Sequence, residues 1–371
     1  MSRLGAIALS LAFLTLTACG TGSEATPVRS VGPTTVLTNT TSAAASPNVG
    51  AVEPATPVGT GETPTVAATA SPAVSTAEPT APKAKVFFPF AYKDANNRTV
   101  TLKRQPRRIV SLFPVNNETL FAIGAGEQII AVDDFTAFPN ASAEKSKVGG
   151  ANFKFNTEKI VGLDPDLVIT SFGTEEILDK ALRDADVPVL ATPYPTSLEA
   201  TYDLVRDLGR ITGHSEAADR LSTRLRGEIQ DVQRRSAKAP KTPVYYETDA
   251  STPGKPFTVN KGTLGEELLI AAGGRNVFSA VKGGQVSFES IVSAKPEVIL
   301  LGDVKGYVPE NFFSPTSVQE VKQRKGFGAI PAVRKNRVVP IYVDRLVPGP
   351  RLGQGLRDLA VAIHPEIFGE R

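Results

Sequence analysis

The sequence predicts an α/β protein in which two related lobes are joined by one long, rigid interdomain helix. Three observations carry this prediction. Apolar strands alternate with amphipathic helices from residue 86 onward, one short unit occurs twice, and a single long helical segment interrupts the alternation. Strands linked by helical crossovers are typical of parallel sheets, which bind ligands in the loops at the carboxyl ends of their strands.

The first lobe is predicted over residues 86–213. A short strand at 99–102 leads through a basic turn into an apolar strand at 108–112, and the segment NNETLFAIGAG then predicts a helix that Asn116 or Asn117 caps and glycines end. The same patterns continue along the lobe, with strands at 128–132, 166–171 and 187–192 and helices at 155–163, 175–184 and 198–212.

The interdomain helix is predicted over residues 214–239. Between residues 215 and 237 apolar side chains recur at spacings of three and four, which gives the helix one buried stripe and a charged remainder. At about 1.5 Å per residue the helix is roughly 35 Å long, enough to cross between two lobes. The stripe consists of Ala218, Leu221, Leu225, Ile229 and Val232.

The second lobe is predicted over residues 240–371, where the alternation of strands and helices restarts. NTEKIVGLDPDLVI at residues 156–169 is echoed by VSFESIVSAKPEVIL at residues 286–300, with a glutamate, an Ile-Val pair and a proline in the same order. ETLFAIGAGEQII in the first half is paralleled by EELLIAAGGRNVF in the second. Two matches in the same order favour two related lobes over a chance likeness between α/β domains.

The amino-terminal segment predicts export and lipidation. Residues 1–19 contain one arginine, an apolar stretch too short to span a bilayer, and small residues before Cys19, the only cysteine of the chain. This ending resembles the lipobox of bacterial lipoproteins. The resemblance implies that Cys19 is lipidated and that the protein is anchored on the extracytoplasmic face of the cell membrane. An ordinary signal peptide with an incidental cysteine is the alternative.

Residues 20–84 predict a disordered tether. They are rich in Thr, Pro, Ala and Ser and poor in charged and aromatic side chains, so they cannot bury enough apolar surface to offset the entropy of folding. A coil of this length reaches on the order of 45 Å, which keeps the folded part near the membrane.

Composition and motifs exclude several classes of function. A formal net charge of +3 favours neither nucleic acid nor a strongly acidic partner. The chain lacks a G-x-S-x-G elbow, a phosphate loop and an H-E-x-x-H motif, and the adjacent Asp133 and Asp134 would point to opposite faces of a strand. We therefore expect no enzyme and no cofactor. The two histidines, His214 and His364, are interpreted as structural, so no metal site is expected.

Six segments of the chain carry a family resemblance. They are, in order, RRIVSLFPVNNETLFAIGAGEQIIAV, VDDFTAFP, KVGGANFKFNTEKIVGLDPDLVI, GEELLIAAGGRNVF, SFESIVSAKPEVILLG and GFGAIPAVRKNRVVPIYVDRLVPGPRLGQGLRDLAVAIHPEIFG. Together they resemble the substrate-binding proteins of ABC importers that serve cobalamin, iron-siderophores and haem. The resemblance covers residues 86–371. It implies the class III binding-protein fold of two α/β lobes, a ligand held between the lobes with little closure, and delivery to a permease dimer with its ATPase. We expect a monomer.

The same resemblance gives the repeated glutamates a role. In this family each lobe presents a glutamate that docks on arginines of the permease, and by motif these are Glu158 and Glu289. A carboxylate pairs with a guanidinium group in a fixed orientation, and a two-fold symmetric permease suits a pseudo-symmetric partner. The alternative is that each glutamate only stabilises the first turn of its helix through the helix dipole.

Aromatic and charged residues near the ends of the predicted strands form the predicted ligand site. Aromatic side chains suit a large flat ligand, because they supply apolar area and leave a few polar groups to orient it. The predicted ligand-binding residues are Phe113, Pro114, Phe135, Asn152, Phe153, Phe172, Tyr194, Tyr246, Glu247, Phe257, Asp344 and Arg345.

Cobalamin is the predicted ligand. VDDFTAFP resembles the cobalamin-binding members, in which the aromatic at the Phe135 position stacks on the ligand, and Asp344 matches an acidic ligand contact of those members. The chain has no tryptophan, whereas such clefts often contain several, so a ferric siderophore or haem is the alternative. The contacts of a siderophore would be Tyr194, Tyr307, Arg345 and Arg351. A ligand sensor or surface protein without a transport partner is the alternative of another class.

Overall fold

A computed structural model describes residues 88–150, 154–171, 176–304 and 316–369 of the chain. Within these ranges, strands and helices alternate as predicted and form two five-stranded sheets. The predicted signal peptide, the tether and Cys19 lie outside them. None of the helices in these ranges has both the length and the hydropathy that a membrane crossing requires.

The first sheet is built from residues 109–192. An antiparallel hairpin of β1 (Phe90–Lys93) and β2 (Thr99–Leu102) precedes it, and β2 matches the predicted strand at 99–102. The strands of the sheet are β3 (Ile109–Ser111), β4 (Ile129–Val132), β5 (Ser146–Lys147), β6 (Leu167–Ser171) and β7 (Val189–Thr192). Their spatial order is β5-β4-β3-β6-β7, and all neighbours are parallel, as the helical crossovers predict.

Helices connect these strands and continue beyond them. They are α1 (Pro114–Ala122), α2 (Thr157–Gly162), α3 (Glu176–Asp184), α4 (Leu198–Thr212) and α5 (Ser215–Ser236). Ser197 caps α4 by accepting from the backbone N–H of Ala200, and Gly213 ends it at φ 78°, a left-handed conformation that glycine adopts without steric cost.

Helix α1 begins earlier than the sequence predicts. The residue that caps it is Phe113, and Pro114 is its first residue, so the prediction that Asn116 or Asn117 caps the helix is wrong. Proline suits this position because its fixed φ matches the helix and its missing N–H would have had no helical partner. Asn116 and Asn117 lie inside the helix, where both are buried.

Helix α5 lies within the range 214–239 that was predicted as the interdomain helix, and it contacts both halves of the chain. The five residues of its predicted apolar stripe are all buried. On one side Arg226 donates to both carboxylate oxygens of Glu199 in α4, at 2.9 and 3.0 Å. On the other side the hydroxyl of Ser236 donates to the carbonyl oxygen of Ala271 in the second half, at 2.8 Å.

The second sheet repeats the arrangement of the first. Its strands are β8 (Thr242–Asp249), β9 (Phe257–Thr258), β10 (Gly274–Asn276), β11 (Val298–Leu301) and β12 (Val338–Pro340). Strands β10-β8-β11-β12 are parallel, and β9 pairs with β8 in the antiparallel direction. The helices of this half are α6 (Leu264–Ala271), α7 (Phe288–Ala294), α8 (Val318–Gln323), α9 (Pro331–Arg334), α10 (Leu352–Ile363) and α11 (Pro365–Phe368).

The duplicated sequence unit folds the same way twice. Helix α2 leads into β6 and helix α7 leads into β11, and each of these strands lies next to the first strand of its sheet, β3 or β8. Asp164 (φ 48°) and Lys295 (φ 47°) turn the chain in the left-handed conformation directly before the proline of each copy. The two copies are therefore structurally equivalent, which the sequence pattern predicts. The residue bounds of the lobes stay predictions.

One hydrophobic core runs through both halves. It contains the inner faces of both sheets together with buried side chains of the helices, among them Leu208, Leu225, Leu268 and Leu356. Full burial of a leucine side chain stabilises a fold by roughly 1.5–3 kcal/mol, so the two halves are held together by packing as well as by the covalent chain. Two further clusters cover the opposite faces of the sheets.

A buried ion pair lies in the second half. Arg324 donates to the two carboxylate oxygens of Glu247 at 2.5 and 2.8 Å, and the hydroxyl of Tyr245 donates to the same carboxylate at 2.8 Å. Glu247 is fully buried and Tyr246 nearly so, because β8 extends past both residues to Asp249. The prediction that Tyr246 and Glu247 lie on a cleft loop is therefore wrong.

Removal of this charge should destabilise the fold. We expect Glu247→Gln to lower the free energy of unfolding by about 3 kcal/mol, because the buried Arg324 guanidinium loses its opposite charge. Urea unfolding followed by circular dichroism measures the loss. Glu297→Gln is the matched control: its 3.5 Å pair with Lys335 is largely exposed, so its removal should cost less than about 1 kcal/mol. Equal losses in the two variants would contradict a stabilising role of the buried pair.

Candidate ligand-binding site

An aromatic pair stands at the carboxyl ends of the strands of the first sheet. Phe113 follows β3 and Tyr194 follows β7, and their rings meet edge to face with centroids 5.9 Å apart. Both side chains are half-buried against the core. Burial raises the pKa of Tyr194 to about 12, so its phenol is neutral at physiological pH. The structure thus brings together two of the predicted ligand-binding residues, with Pro114 next to them as the first residue of α1.

A buried polar network supports this edge of the sheet. The side-chain amide of Asn117 donates to Asp133 at 3.1 Å and to Thr136 at 2.6 Å, and that of Asn116 donates to the hydroxyl of Thr192 at 2.9 Å. Burial raises the pKa of the Asp133 carboxyl. The amide oxygens of both asparagines are buried without a partner in the described part of the chain, and ordered water is the ordinary partner of such atoms. The network fixes α1 to the carboxyl ends of β4 and β7.

The loop after β4 carries two aromatic side chains. The backbone N–H of Phe135 donates to Asp133 at 2.8 Å, and Lys147 donates to the carbonyl oxygen of Thr136 at 2.7 Å, so the loop is held from both sides. Phe135 is half-buried, whereas Phe138 is 45% exposed. Phe138 is absent from the predicted site, although the spacing of the two aromatics in VDDFTAFP could have indicated it.

Arg351 connects this loop to the second half of the chain. Its guanidinium lies 4.3 Å from the centroid of the Phe138 ring and donates to both oxygens of Glu118, at 2.6 and 3.0 Å. It also donates to the carboxylate of Asp344 at 2.6 Å. Arg351 was predicted only as a siderophore contact, and Glu118 was not predicted at all, since an acidic residue inside a helix gives no local sign of a distant partner.

Asp344 and Arg345 lie in the short 3₁₀ turn Val343–Arg345 after β12. The Asp344 side chain is about half exposed and is paired with Arg351. Arg345 is paired with Asp358 at 2.8 Å and lies over the ring of Tyr342 at 4.6 Å. Both predicted residues therefore stand after the end of a strand, as expected, but each already has a partner of opposite charge within the protein.

One further predicted residue lies in the described part of the chain. Phe257 is half-buried in β9 and not in a loop, because the chain pairs there with β8. Asn152, Phe153, Phe172 and Tyr307 lie outside the described residues.

A cavity in the described part of the chain lies beside the predicted site and not within it. Its volume is about 720 Å³, and it runs along α1, α5 and α10. None of the nine predicted ligand-binding residues that the structure describes lines it, because those residues were chosen at strand ends and this cavity follows helices. Arg351 and Phe138 are the link between the two regions. The lining residues are Glu118, Phe121, Ala122, Phe138, Pro139, Arg224, Glu228, Asp231, Val232, Pro350, Arg351, Gly353, Gln354 and Arg357.

Asp303 is a further residue that the sequence reasoning missed. It directly follows the short turn after β11, is fully buried, and neither carboxylate oxygen has a hydrogen-bond partner in the described part of the chain. Burial, reinforced by the nearby negative charge of Glu247, raises the pKa of its carboxyl to about 7. An acidic residue placed after the buried run VILLG is the signal that could have indicated it.

The repeated glutamates occupy equivalent and exposed positions. Glu158 is the second residue of α2, which Asn156 caps, and Glu289 is the second residue of α7, which Ser287 caps. Hydrogen bonds from the backbone N–H of Glu289 and from the hydroxyl of Ser287, with the charge of Lys325, lower the pKa of Glu289. Both carboxylates are thus displayed in the first turn of a helix, which is compatible with docking and with a dipole effect alike.

Both histidines have local partners. A ring nitrogen of His214 lies 3.0 Å from the carbonyl oxygen of Thr212, and those of His364 lie 3.1 Å from Glu366 and 3.3 Å from the carbonyl oxygen of Gly273. In the described ranges no group of three or more His, Cys, Asp or Glu residues could hold a metal ion.

Comparison with known proteins assigns the family. The sequence model of the protein family described as periplasmic binding protein matches residues 109–342. The chain belongs to this family. Its uncharacterised relative YvrC of Bacillus subtilis (strain 168), an ABC transporter substrate-binding lipoprotein, is 30% identical over 76% of this chain and 88% of its own length.

Two further proteins show the breadth of the family. The cobalamin-binding protein of Halobacterium salinarum is 28% identical over 75% of this chain and 74% of its own length. The periplasmic haem-binding protein RhuT from Roseiflexus sp. RS-1, solved in apo form, is 25% identical with a TM-score of 0.60 over 70% of this chain and 98% of that one. The predicted class III fold is confirmed. This periplasmic binding protein is a solute-binding component of an ABC transporter, with an extracytoplasmic location, and it is not an enzyme.

Asp303 should make stability depend on pH. Its folded pKa, about 7, lies above its usual value of 3.8, so between these pH values the folded protein keeps a proton that the unfolded chain has lost. The proton that the folded protein retains on Asp303 therefore stabilises the fold. This stabilisation is fully present below about pH 4 and is lost as the pH rises through about 7. The free energy of unfolding of Asp303→Asn minus that of the parent should therefore be larger at about pH 8 than at about pH 5.

Urea unfolding at the two pH values measures this difference. Asp231→Asn is the control, since the Asp231 side chain in α5 is 48% exposed and is paired with Arg234. The same pH response in Asp303→Asn as in the parent would refute the assignment.

Proposed function

We propose that this periplasmic binding protein captures cobalamin or a related corrinoid and delivers it to an ABC permease. The observation that carries the proposal is the aromatic pair of Phe113 and Tyr194 at the strand ends, with Phe135 in the next loop of the same sheet. Ring faces provide apolar area for a large planar macrocycle at small entropic cost. The likeness to a cobalamin-binding protein along three quarters of the chain supports the same ligand.

Haem is the second candidate, because one relative of known structure binds it. A tyrosine can hold ferric iron only as its anion, and burial raises the pKa of Tyr194 to about 12, which makes that anion costly. The two histidines are occupied elsewhere, in helix junctions. The site therefore favours a ligand that is recognised by stacking and hydrogen bonds and brings its metal already coordinated. A ferric siderophore meets that description as well and is the remaining alternative.

Glu158 and Glu289 are proposed to dock on the permease. They stand at equivalent positions of the two repeated units, so a permease dimer can meet the same carboxylate twice. Cys19 is proposed to anchor the chain by a lipid. The lipobox-like residues before it support this proposal, and so does the Bacillus relative, which is described as a lipoprotein.

Calorimetric titration of the purified chain with cyanocobalamin, a ferric hydroxamate siderophore and haemin tests the ligand. We expect tight binding of cobalamin only. Tyr194→Ala should raise its dissociation constant about tenfold because a stacking face is lost, whereas Tyr194→Phe should stay near the parental value because the ring remains. No heat with cobalamin, together with tight binding of a ferric chelate, would overturn the choice of ligand.

Charge reversal tests the docking role. The double variant Glu158→Lys/Glu289→Lys should abolish cobalamin uptake by cells, while the dissociation constant of the purified protein stays within a few-fold of the parent, because both residues are exposed and outside the aromatic site. Glu216→Lys is the control: Glu216 is also an exposed first-turn glutamate, in α5, and its reversal should leave uptake unchanged. A collapse of affinity in the double variant would place the pair in the ligand site or the fold.

A further inference from the structure

Two glutamates occupy the same position in the first helix of each half. Helix α1 ends at Ala122 and helix α6 at Ala271, and the second residue after each helix is a glycine in the left-handed conformation, Gly124 (φ 89°) or Gly273 (φ 92°). Counted back from these glycines, Glu118 and Glu267 are equivalent. The two helices belong to the second pair of matching sequence segments. Those segments as written place Glu118 opposite Glu266, so the equivalence of Glu118 and Glu267 rests on the glycines that follow the two helices.

Each of these glutamates reaches a residue of the other half. Glu118 accepts two hydrogen bonds from Arg351, which directly precedes α10, and its side chain is only 7% exposed. Glu267 accepts a hydrogen bond at 2.8 Å from the backbone N–H of Leu198, the first residue of α4. A carboxylate at the amino end of a helix is stabilised by the free N–H groups and by the helix dipole.

The two targets are themselves equivalent. Helix α4 follows β7, the last strand of the first sheet, and α10 follows β12, the last strand of the second. The first half therefore reaches the amino end of the last-strand helix of the second half, and the second half does the same in return. When two equivalent halves of a chain contact each other, a contact from the first half to the second is expected to recur from the second half to the first. The contacts of Glu118 and Glu267 form such a pair.

A cavity adjoins each of the two contacts. The cavity of about 720 Å³ is lined by Glu118 and Arg351, and a smaller one of about 280 Å³ is lined by Ser197 and Glu267. Apolar packing between the halves is incomplete at both places. At both places charged hydrogen bonds, which are stronger than neutral ones and restrict orientation, add to the packing of the shared core.

We propose that Glu118 and Glu267 are positioning residues that clamp the two halves at two points and so limit the opening of the ligand site. In addition to the shared core, two separate contacts restrict rotation of one half against the other more than a single contact does. The inference deepens the proposed function, because slow release of a ligand held between the lobes requires that they open rarely.

The spread of distances between the halves tests the clamps without any ligand. Nitroxide labels are placed at Glu127→Cys and Gln323→Cys, both exposed and in different halves, in a full chain that carries Cys19→Ser. Double electron–electron resonance then gives the distribution of distances between the two labels. We expect it to broaden in Glu118→Ala and in Glu267→Ala, and to broaden further in the double variant.

Control variants separate this effect from a general loss of stability. Glu199→Ala removes a bidentate pair with Arg226, whose guanidinium also lies over an aromatic ring, but both partners belong to α4 and α5. Its distribution should equal that of the parent. Arg351→Lys keeps the charge and loses the bidentate geometry, so it should give an intermediate width even if Glu118→Ala fails to fold.

Ligand release provides the second measurement. Cobalamin should dissociate about tenfold faster from the double variant than from the parent, and at the parental rate from Glu199→Ala. Parental distance distributions in the double variant and in Arg351→Lys would overturn the clamps, whatever the ligand proves to be. Absence of cobalamin binding in the parent itself would instead overturn the proposed function and leave the distance result as the test of the clamps.

Discussion

Burial of the apolar stripe of α5 is the interaction on which the rest of the structure depends. The stripe packs against α4 of the first half and α10 of the second, and its residues belong to a hydrophobic core that includes both sheets. Helix α10 can approach closely because residue 353 is glycine: a side chain there would collide with Glu228 of α5. Since polar groups alone would hold the halves weakly in water, this shared core determines that the strand ends, the ion pairs and the cavities keep fixed positions.

The internal repeat extends that arrangement to the surface. Left-handed residues before Pro165 and Pro296 direct equivalent strands into equivalent sheet positions, and the helices before them present Glu158 and Glu289 alike. The halves differ in the side chains near the carboxyl ends of their strands. Near the strand ends of the second half lie a buried ion pair and Asp303, whose carboxylate has no hydrogen-bond partner among the described residues, while the first half has an asparagine network and aromatic rings. A repeated frame thus carries strand ends of different chemistry, as the proposed ligand site and the proposed docking on a permease dimer require.

Most of the fold could be predicted from the sequence because local patterns determine it. Apolar runs give the strands, a spacing of three and four gives the buried stripe of α5, and repeated segments give equivalent halves. The start of α1 could not be predicted in this way, since Pro114 and two asparagines offer competing signals and tertiary burial of the asparagines decides between them. Long-range pairs such as Glu118 with Arg351 leave no local pattern. For the same reason the sequence does not show whether Glu247 lines a cleft or is buried. Its partner Arg324 is far away in the sequence.

The shared core also has a consequence for the order in which the protein folds. Helix α10 contributes to that core and packs on α5, although it lies beyond the whole second sheet in the sequence. Before α10 docks, α5 lacks part of the surface against which its stripe is buried. Contacts between segments far apart in the sequence form late, because the intervening chain must first be brought together. Docking of one distant helix is thus expected to be a late event that completes the core of both halves at once.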